Sequence, residues 1–260
     1  MAAAARGMMG IVSLILIGAS ILFILFVILS GVTHSTPLSK TYFLQADTSR
    51  FPGSGRPVSQ WTYFYVCGSG NTNCGKPVPA LPFGYAWVGG TQNVPSKFVG
   101  HHGKGTTSTY FYYLWRFGWV FFLMGLIFDV FAFFTSLLAP CSRLASGISS
   151  FILYIALFWF TLGASLMTAT FVRARDIFHD NGLHASLGKY AFGFTWAAWA
   201  CMFIASLLLC MGCLAGRDRA TTTTTTTRRS RFGRGGFGRG RRTRGSAIDT
   251  ESQHRVKEEY

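Results

Sequence analysis

The sequence predicts an α-helical membrane protein: a bundle of four transmembrane helices with a small extracellular β-sheet and a disordered C-terminal tail. Half of the 260 residues are hydrophobic, Phe alone occurs 25 times, and only 13% of the residues are charged. This composition suits lipid better than the core of a soluble domain. Four apolar runs are long enough to cross a bilayer, and they occupy residues 8–30, 117–139, 148–172 and 190–213.

The first run, residues 8–30, contains no charge and follows Arg6. At about 1.5 Å per residue it can cross a hydrocarbon core of roughly 30 Å. A cleaved signal peptide is the alternative interpretation, but the apolar region of such a peptide usually covers only about 7 to 15 residues. We therefore expect this run to be the first transmembrane helix.

A polar loop, residues 31–116, separates the first two spans and is rich in Gly, Pro, Thr and aromatic residues. Within it, residues 41–47, 61–67 and 83–88 have the composition of short strands and are bounded by turn-forming residues. The loop contains no Asn-x-Ser/Thr sequence, so Asn-linked glycosylation is not expected.

The segment from Trp61 to Cys74 is the most informative part of this loop. Side chains alternate along a strand with period two, so Trp61, Tyr63, Tyr65 and Cys67 would share one face of the predicted strand. The other face is also apolar, which favours a strand covered on both sides. Cys67 and Cys74 are expected to form a disulfide that fixes a turn at the strand end, with a gain of about 2 to 3 kcal/mol. Free or metal-bound thiols are the alternative, but no His lies nearby at ligand spacing.

The second span carries one acid, Asp129, close to its midpoint. At about 100° per residue this acid lies on the same helical stripe as several small residues, which allow neighbouring helices to approach closely. The stripe comprises Gly118, Phe122, Gly125, Asp129, Ala132, Ser136 and Ala139. We expect the carboxyl group to hydrogen-bond Ser, Thr or Tyr of another helix. An ion path is the alternative, but the other three spans contain no Lys, Arg or His that could act as a second station.

The third and fourth spans also carry regularly spaced small residues. Those of the third span recur every seven positions, which is typical of a left-handed packing seam, and those of the fourth recur every four. The third helix is expected to continue beyond the bilayer and to stop at Asn181-Gly182. The predicted seams are Ser149, Ala156, Gly163 and Thr170 in the third span, and Gly193, Ala197, Cys201 and Ala205 in the fourth.

The distribution of basic residues predicts that both termini are cytoplasmic. Arg6 precedes the first span, Arg143 lies in the short connection of residues 141–147, and a basic cluster follows the fourth span. The loop of residues 31–116 also contains seven Lys and Arg. However, loops longer than about 60 residues are largely exempt from the positive-inside rule. The loop is therefore expected outside the cell.

The chain is predicted to divide into a membrane domain, residues 1–213, and a tail, residues 214–260. The tail contains seven consecutive threonines and an Arg-Gly-Phe run, and it has too little apolar surface to fold alone. We expect it to contact anionic head groups of the inner leaflet, at about 1 kcal/mol per basic residue near the surface, or an acidic cortical partner. RNA binding and plain solvated disorder are the alternatives. The ten arginines concerned are Arg217, Arg219, Arg228, Arg229, Arg231, Arg234, Arg239, Arg241, Arg242 and Arg244.

Few other side chains suggest chemistry, and no catalytic constellation is present in the sequence. Cys210 and Cys213, at the inner end of the fourth span, resemble juxtamembrane acylation sites, with packing at the helix end as the alternative. Cys141 is a weaker candidate for acylation. His101 and His102 are interpreted as ordinary loop histidines, because adjacent side chains of an extended loop point apart. No cofactor or metal is expected.

Six segments, in this order along the chain, carry a family resemblance. They are T-Y-F-L-Q-A-D-T-S at 41–49, W-T-Y-F-Y-V-C-G with N-T-N-C-G at 61–75, P-A-L-P-F-G at 79–84, L-A-P-C-S-R-L-A-S-G at 138–147, A-S-L-M-T-A-T-F at 164–171 and Y-A-F-G-F-T-W-A-A-W at 190–199. Together these segments resemble the fungal Sur-seven/PalI family of plasma-membrane proteins. The likeness covers roughly residues 8–213 and stops at the tail.

The resemblance implies a non-enzymatic protein of eisosomes, the furrow-like cortical domains of the fungal plasma membrane. It implies roles in membrane and sphingolipid organisation, cell-wall assembly and, in some members, sporulation. The implied partners are membrane lipids, other eisosomal or cortical proteins and a second copy of the chain; nucleic acid is not expected. The PalI branch implies ambient-pH sensing instead, although it usually carries a longer tail. A transporter or channel subunit that uses Asp129 is the second alternative.

The family is also similar in plan to claudins, which have four helices and an extracellular sheet with a Trp and two Cys. This sequence departs from that pattern, because Phe64 occupies the position three residues before the first Cys where claudins place Trp. Trp61 lies three residues earlier. The claudin likeness is therefore limited to architecture and implies no barrier or pore.

Overall fold

Four long helices dominate the protein. The computed structural model describes residues 2–33, 35–138 and 143–214. The long helices are α1 (Ala2–Ile28), α3 (Thr109–Ser136), α4 (Arg143–Asp180) and α5 (Lys189–Leu214), while α2 (His102–Gly105) is a single short turn. Each long helix contains a segment long and apolar enough to cross a membrane, as predicted from the apolar runs. Cys141 and residues 215–260 lie outside the described residues.

The buried faces of α3 and α4 are those predicted from the spacing of small residues. In α3 the stripe that contains Asp129 is buried from Gly118 to Ser136, and Ala139 lies outside the described residues. In α4 all four seam residues are buried: Ser149, Ala156, Gly163 and Thr170.

Two glycines allow α3 and α4 to pack in close contact. A Cβ atom at Gly125 would lie 2.7 Å from Cβ of Phe160, and one at Gly163 would lie 2.5 Å from the backbone nitrogen of Phe122. Ordinary contacts of a Cβ atom are 3.4–4 Å long. The two helices could not approach so closely with any other residue at these positions.

The buried face of α5 differs from the predicted seam. Gly193 is exposed, with no atom within 4 Å of a Cβ built there, whereas Ala205 is buried. A spacing of four residues rotates by about 40° per step on a helix with about 100° per residue, so Gly193 and Ala205 point about 120° apart. The buried residues of α5 are Ala191, Thr195, Ala198, Met202, Ala205, Ser206, Leu209 and Gly212.

The loops on one side of the bundle form a four-stranded antiparallel sheet. Its strands are β1 (Leu44–Asp47), β2 (Val58–Trp61), β3 (Val66–Cys67) and β4 (Ala185–Leu187), in the order β3-β2-β1-β4. The first three strands come from the loop between α1 and α3, and β4 comes from the connection between α4 and α5. Because β4 pairs with β1, the two loops form one unit, here called the loop domain (residues 31–108 and 181–188).

Two predicted strands are wrong, and a third is shorter than predicted. Residues 61–67 do not form one strand, because the backbone N–H of Thr62 donates to the carbonyl oxygen of Tyr65 at 2.9 Å and closes a turn between β2 and β3. Within residues 83–88 the structure has a 3₁₀ helix from Phe83 to Trp87 instead of a strand. A short aromatic run is compatible with a buried helical turn as well as with a strand. Residues 41–47 are extended only from Leu44 onward.

Helix α4 continues past the membrane into the loop domain, as predicted. It ends at Asp180, and Gly182 then adopts a positive φ of 69°. The N–H of Leu183 donates to the carbonyl oxygen of Phe178 at 2.9 Å, a bond that ends the helix. One rigid helix therefore belongs to both the membrane bundle and the loop domain.

Candidate functional site

The core of the loop domain is a cluster of buried aromatic rings. Neighbouring rings of the cluster lie with centroids 4.8 to 6.2 Å apart. Phe178 of α4 is one of them, so the outer end of this helix is part of the loop-domain core. The cluster consists of Trp61, Phe83, Trp87, Phe98 and Phe178, all of them buried.

Two indole hydrogen bonds fix this aromatic cluster. The Nε1–H of Trp61 donates to the carbonyl oxygen of Phe83 at 2.9 Å, while its ring stacks on the Phe83 ring at 4.9 Å. The Nε1–H of Trp87 donates to the carbonyl oxygen of Thr106 at 3.1 Å. A buried indole needs such a partner. Both rings are therefore held in one orientation, and the cluster is a rigid support for the sheet.

The structure contains the predicted disulfide between Cys67 and Cys74. Asn71, inside the closed loop, is fully buried and its side-chain amide donates to the carbonyl oxygens of Leu38 and Thr41 at 2.7 and 2.9 Å. Asn71 also has a positive φ of 53°, a conformation that Asn tolerates better than most residues. The disulfide loop is thus anchored to the chain that leaves α1.

Tyr63 connects the turn between β2 and β3 to the membrane bundle. Its hydroxyl group donates to the carbonyl oxygen of Trp119 at 2.8 Å, and the two rings stack at 5.4 Å. Burial raises the pKa of the Tyr63 phenol well above its usual value, so the hydroxyl keeps the proton that it donates. Predicted to lie on one sheet face with Trp61, Tyr63 instead lies between the loop domain and α3.

Asp129 lies in the interior of the bundle, as expected, and contacts α1. It is fully buried, and its Oδ2 atom lies 2.6 Å from Oγ of Ser20. The same Oγ lies 2.7 Å from the carbonyl oxygen of Ile17. Oδ1 of Asp129 has no hydrogen-bond partner among the described residues. The acid therefore joins α3 to α1 through one serine.

Comparison with known proteins assigns the chain to a family. The model of the SUR7/PalI family matches residues 9–208. This chain belongs to the SUR7/PalI family. The match includes the second and third apolar helices, most of the first and fourth, and the whole loop domain, and it ends before the basic tail.

The chain is similar to several yeast proteins. Protein SUR7 of Candida albicans is 34% identical over 206 residues, which cover 78% of this chain and 73% of the relative. SUR7 family protein FMP45 of Saccharomyces cerevisiae is 34% identical over 200 residues, or 75% of this chain and 62% of the relative. An uncharacterized plasma membrane protein of the same yeast is 31% identical over 188 residues, or 70% of this chain and 60% of that protein. The family and the four apolar helices identify a multi-pass plasma-membrane protein.

Other predicted site residues of this SUR7/PalI protein are only partly described. Cys210 is half-buried near the end of α5 that is remote from the sheet, while the side chain of Cys213 lies outside the described residues. The ten tail arginines also lie outside them. His102 stacks on the ring of Tyr112 at 4.5 Å. Within the described part of the chain, no group of three His, Cys, Asp or Glu side chains could hold a metal ion.

Several contacts of this family member could not be read from the sequence. β4 has only three residues, and its partner β1 is far away in the chain. The burial of Asn71 and the contact of Tyr63 with Trp119 depend on the turn that interrupts residues 61–67. The one usable sequence signal for the backbone conformation of this segment was the Asn-rich run around the disulfide, because Asn is common where the backbone adopts a positive φ.

Proposed function

We propose that this protein is a non-enzymatic organiser of a cortical domain of the fungal plasma membrane, of the eisosome type. The observation that carries the proposal is the continuity of the loop domain with the bundle. Phe43 of the loop domain stacks on Phe171 of α4 at 5.0 Å, and Trp115 of α3 packs edge-on against the same ring, also at 5.0 Å. The sheet and the transmembrane helices therefore share one packed aromatic core.

The chemistry of the described residues supports a role in contacts rather than in catalysis. Asp129 is the one charged residue inside the four predicted spans, and it is hydrogen-bonded to Ser20. Its burial in the seam between α1 and α3 is what a structural link between helices requires. An ion pathway would need further polar stations along the helices.

The proposed orientation places both termini in the cytoplasm and the loop domain outside. The loop domain then faces the wall or a neighbouring copy, and the ten arginines of the tail face the anionic head groups of the inner leaflet. Through these contacts the protein affects lipid organisation, including that of sphingolipids, wall assembly and sporulation. Other cortical proteins and further copies of the chain are its proposed partners.

A fluorescent tag on the C-terminus tests this proposal against its alternatives. We expect immobile cortical patches, and defects in wall assembly when the gene is deleted. The family also includes PalI, so an accessory role in ambient-pH signalling is the second candidate. Uniform membrane fluorescence together with growth failure of the deletion strain at alkaline pH would favour that role and refute the first.

A further inference from the structure

A cavity of about 730 Å³ lies where the loop domain meets α3 and α4. Its apolar lining consists of the exposed ring of Tyr110 of α3, with the buried side chains of Phe111 of α3 and Ile177 of α4 beneath it. Lys97 of the loop domain and Arg173 of α4 bring two cations to the same cavity. A volume of this size suits a small ligand or a lipid head group.

The two cations of the cavity are available to an anion. Arg173 is exposed and forms no ion pair or hydrogen bond with any described residue. Nζ of Lys97 lies 3.9 Å from a carboxylate oxygen of Asp180, but the two side chains are 57% and 65% exposed. Such a solvent-exposed pair contributes little free energy, so Asp180 leaves Lys97 largely free.

Neutral donors of the cavity also favour an anion. Ser108 Oγ is buried and has no hydrogen-bond partner in the described part of the chain. Helix α3 begins directly after it, without a side-chain cap and without an acid in its first turn. The free N–H groups of that turn add partial positive charge to the same wall.

The cavity lies at the depth of the lipid head groups. Residues 117–136 of α3 make a length of about 30 Å, which fills the hydrocarbon core and places its boundary near Phe117. Tyr110 lies seven residues, or about 10 Å, above that boundary. Tyr110, Tyr113 and Phe117 are 54%, 46% and 52% exposed, as expected for aromatic side chains at a membrane interface.

We propose that this cavity binds the phosphate group of an anionic lipid in the leaflet next to the loop domain. Arg173 and Lys97 neutralise the phosphate, and Ser108 Oγ donates a hydrogen bond to it after the side chain rotates towards the cavity. The exposed ring of Tyr110 packs against the glycerol and the upper acyl chains, which a free phosphate ion does not have. The site goes beyond the proposed function, because it requires neither a cortical domain nor the basic tail.

Lipid titration of the purified full-length chain in detergent, followed by native mass spectrometry, tests the site. The probes are phosphatidylinositol, phosphatidylcholine as a zwitterionic reference, and excess inorganic phosphate as a competitor. The double variant Lys97→Gln/Arg173→Gln should lose the tightest phosphatidylinositol-binding event, with an affinity about 30-fold lower if each cation contributes its usual share near a surface. Lys40→Gln/Lys76→Gln is the matched control, since both lysines are exposed loop-domain residues outside the cavity.

The outcomes distinguish a lipid site in the cavity from a general attraction of lipid to basic residues. Loss of binding in the cavity variant but not in the control supports the proposal, since the tail arginines are present in both. Equal binding by both double variants would overturn it, as would displacement of the lipid by inorganic phosphate.

Ser108→Ala provides an independent variant, because its hydroxyl bonds to no other described residue. It should lower the affinity for phosphatidylinositol several-fold without lowering thermal stability, and unchanged affinity would count against the site. A failure of the protein to form cortical patches would leave this binding result unaffected.

Discussion

The glycine contact between α3 and α4 gives the sharpest prediction about stability. In Gly163→Ala the new Cβ would lie 2.5 Å from the backbone nitrogen and 2.9 Å from Cα of Phe122. Backbone atoms cannot move aside as a side chain can, so the helices must separate until the shorter contact reaches at least 3.4 Å. A gap of nearly 1 Å forfeits between a quarter and a half of the local dispersion energy. We expect a loss of about 2 kcal/mol, in the range of overpacked cores.

The matched control for this substitution is Gly193→Ala. Gly193 also lies inside a transmembrane helix, but a Cβ there meets no atom within 4 Å. We expect Gly163→Ala to lower the unfolding temperature of the detergent-purified protein by about 4–8 °C. Gly193→Ala should leave it unchanged or raise it slightly, because Ala favours a helix more than Gly does. If both variants unfolded at the wild-type temperature, this result would contradict the close packing of α3 against α4.

Substitutions at three further contacts test the remaining parts of the structure. Asp129→Asn should retain the stability of the protein and its amount at the cell surface, because the amide can still hydrogen-bond Oγ of Ser20. Asp129→Leu should lose both. Loss of function in a stable, correctly localised Asp129→Asn protein would instead indicate an ion path. Cys67→Ser/Cys74→Ser should cost about 2.5 kcal/mol, the value for so short a closed loop, and reductant should then have no further effect on its unfolding temperature. Trp61→Phe should cost at least about 1–3 kcal/mol, because the carbonyl oxygen of Phe83 loses its buried donor and the smaller ring fills the site less completely. Stability of Trp61→Phe equal to that of the wild type would contradict the role of this bond.

The membrane part of the fold could be predicted because its signals are local. A helix that crosses a bilayer must be apolar along its length, and a close helix contact requires small residues at helical spacing. These two requirements were enough to predict the helices, the buried stripe with Asp129 and the seam of α4 through Gly163. The predicted seam of α5 was wrong because Gly193, although small, does not contact a neighbouring helix. Small size alone does not show which face of a helix is buried.

The loop domain was harder to predict because its order depends on contacts between distant residues. β4 of three residues is stable only through pairing with β1, and the run from Trp61 to Cys67 is interrupted by a turn in which Tyr63 contacts Trp119. The cavity between the loop domain and the helices brings together Lys97 and Arg173, which no sequence spacing connects. Such sites become visible only when the loop domain and the helices are seen together.

Fluorescence recovery after photobleaching of the tagged full-length chain in living fungal cells tests the central claim most directly. If the protein organises a cortical domain through contacts on both sides of the membrane, bleached patches should remain dark while the rest of the cell surface is unchanged. Rapid and uniform recovery, with fluorescence spread evenly over the plasma membrane, would contradict the account.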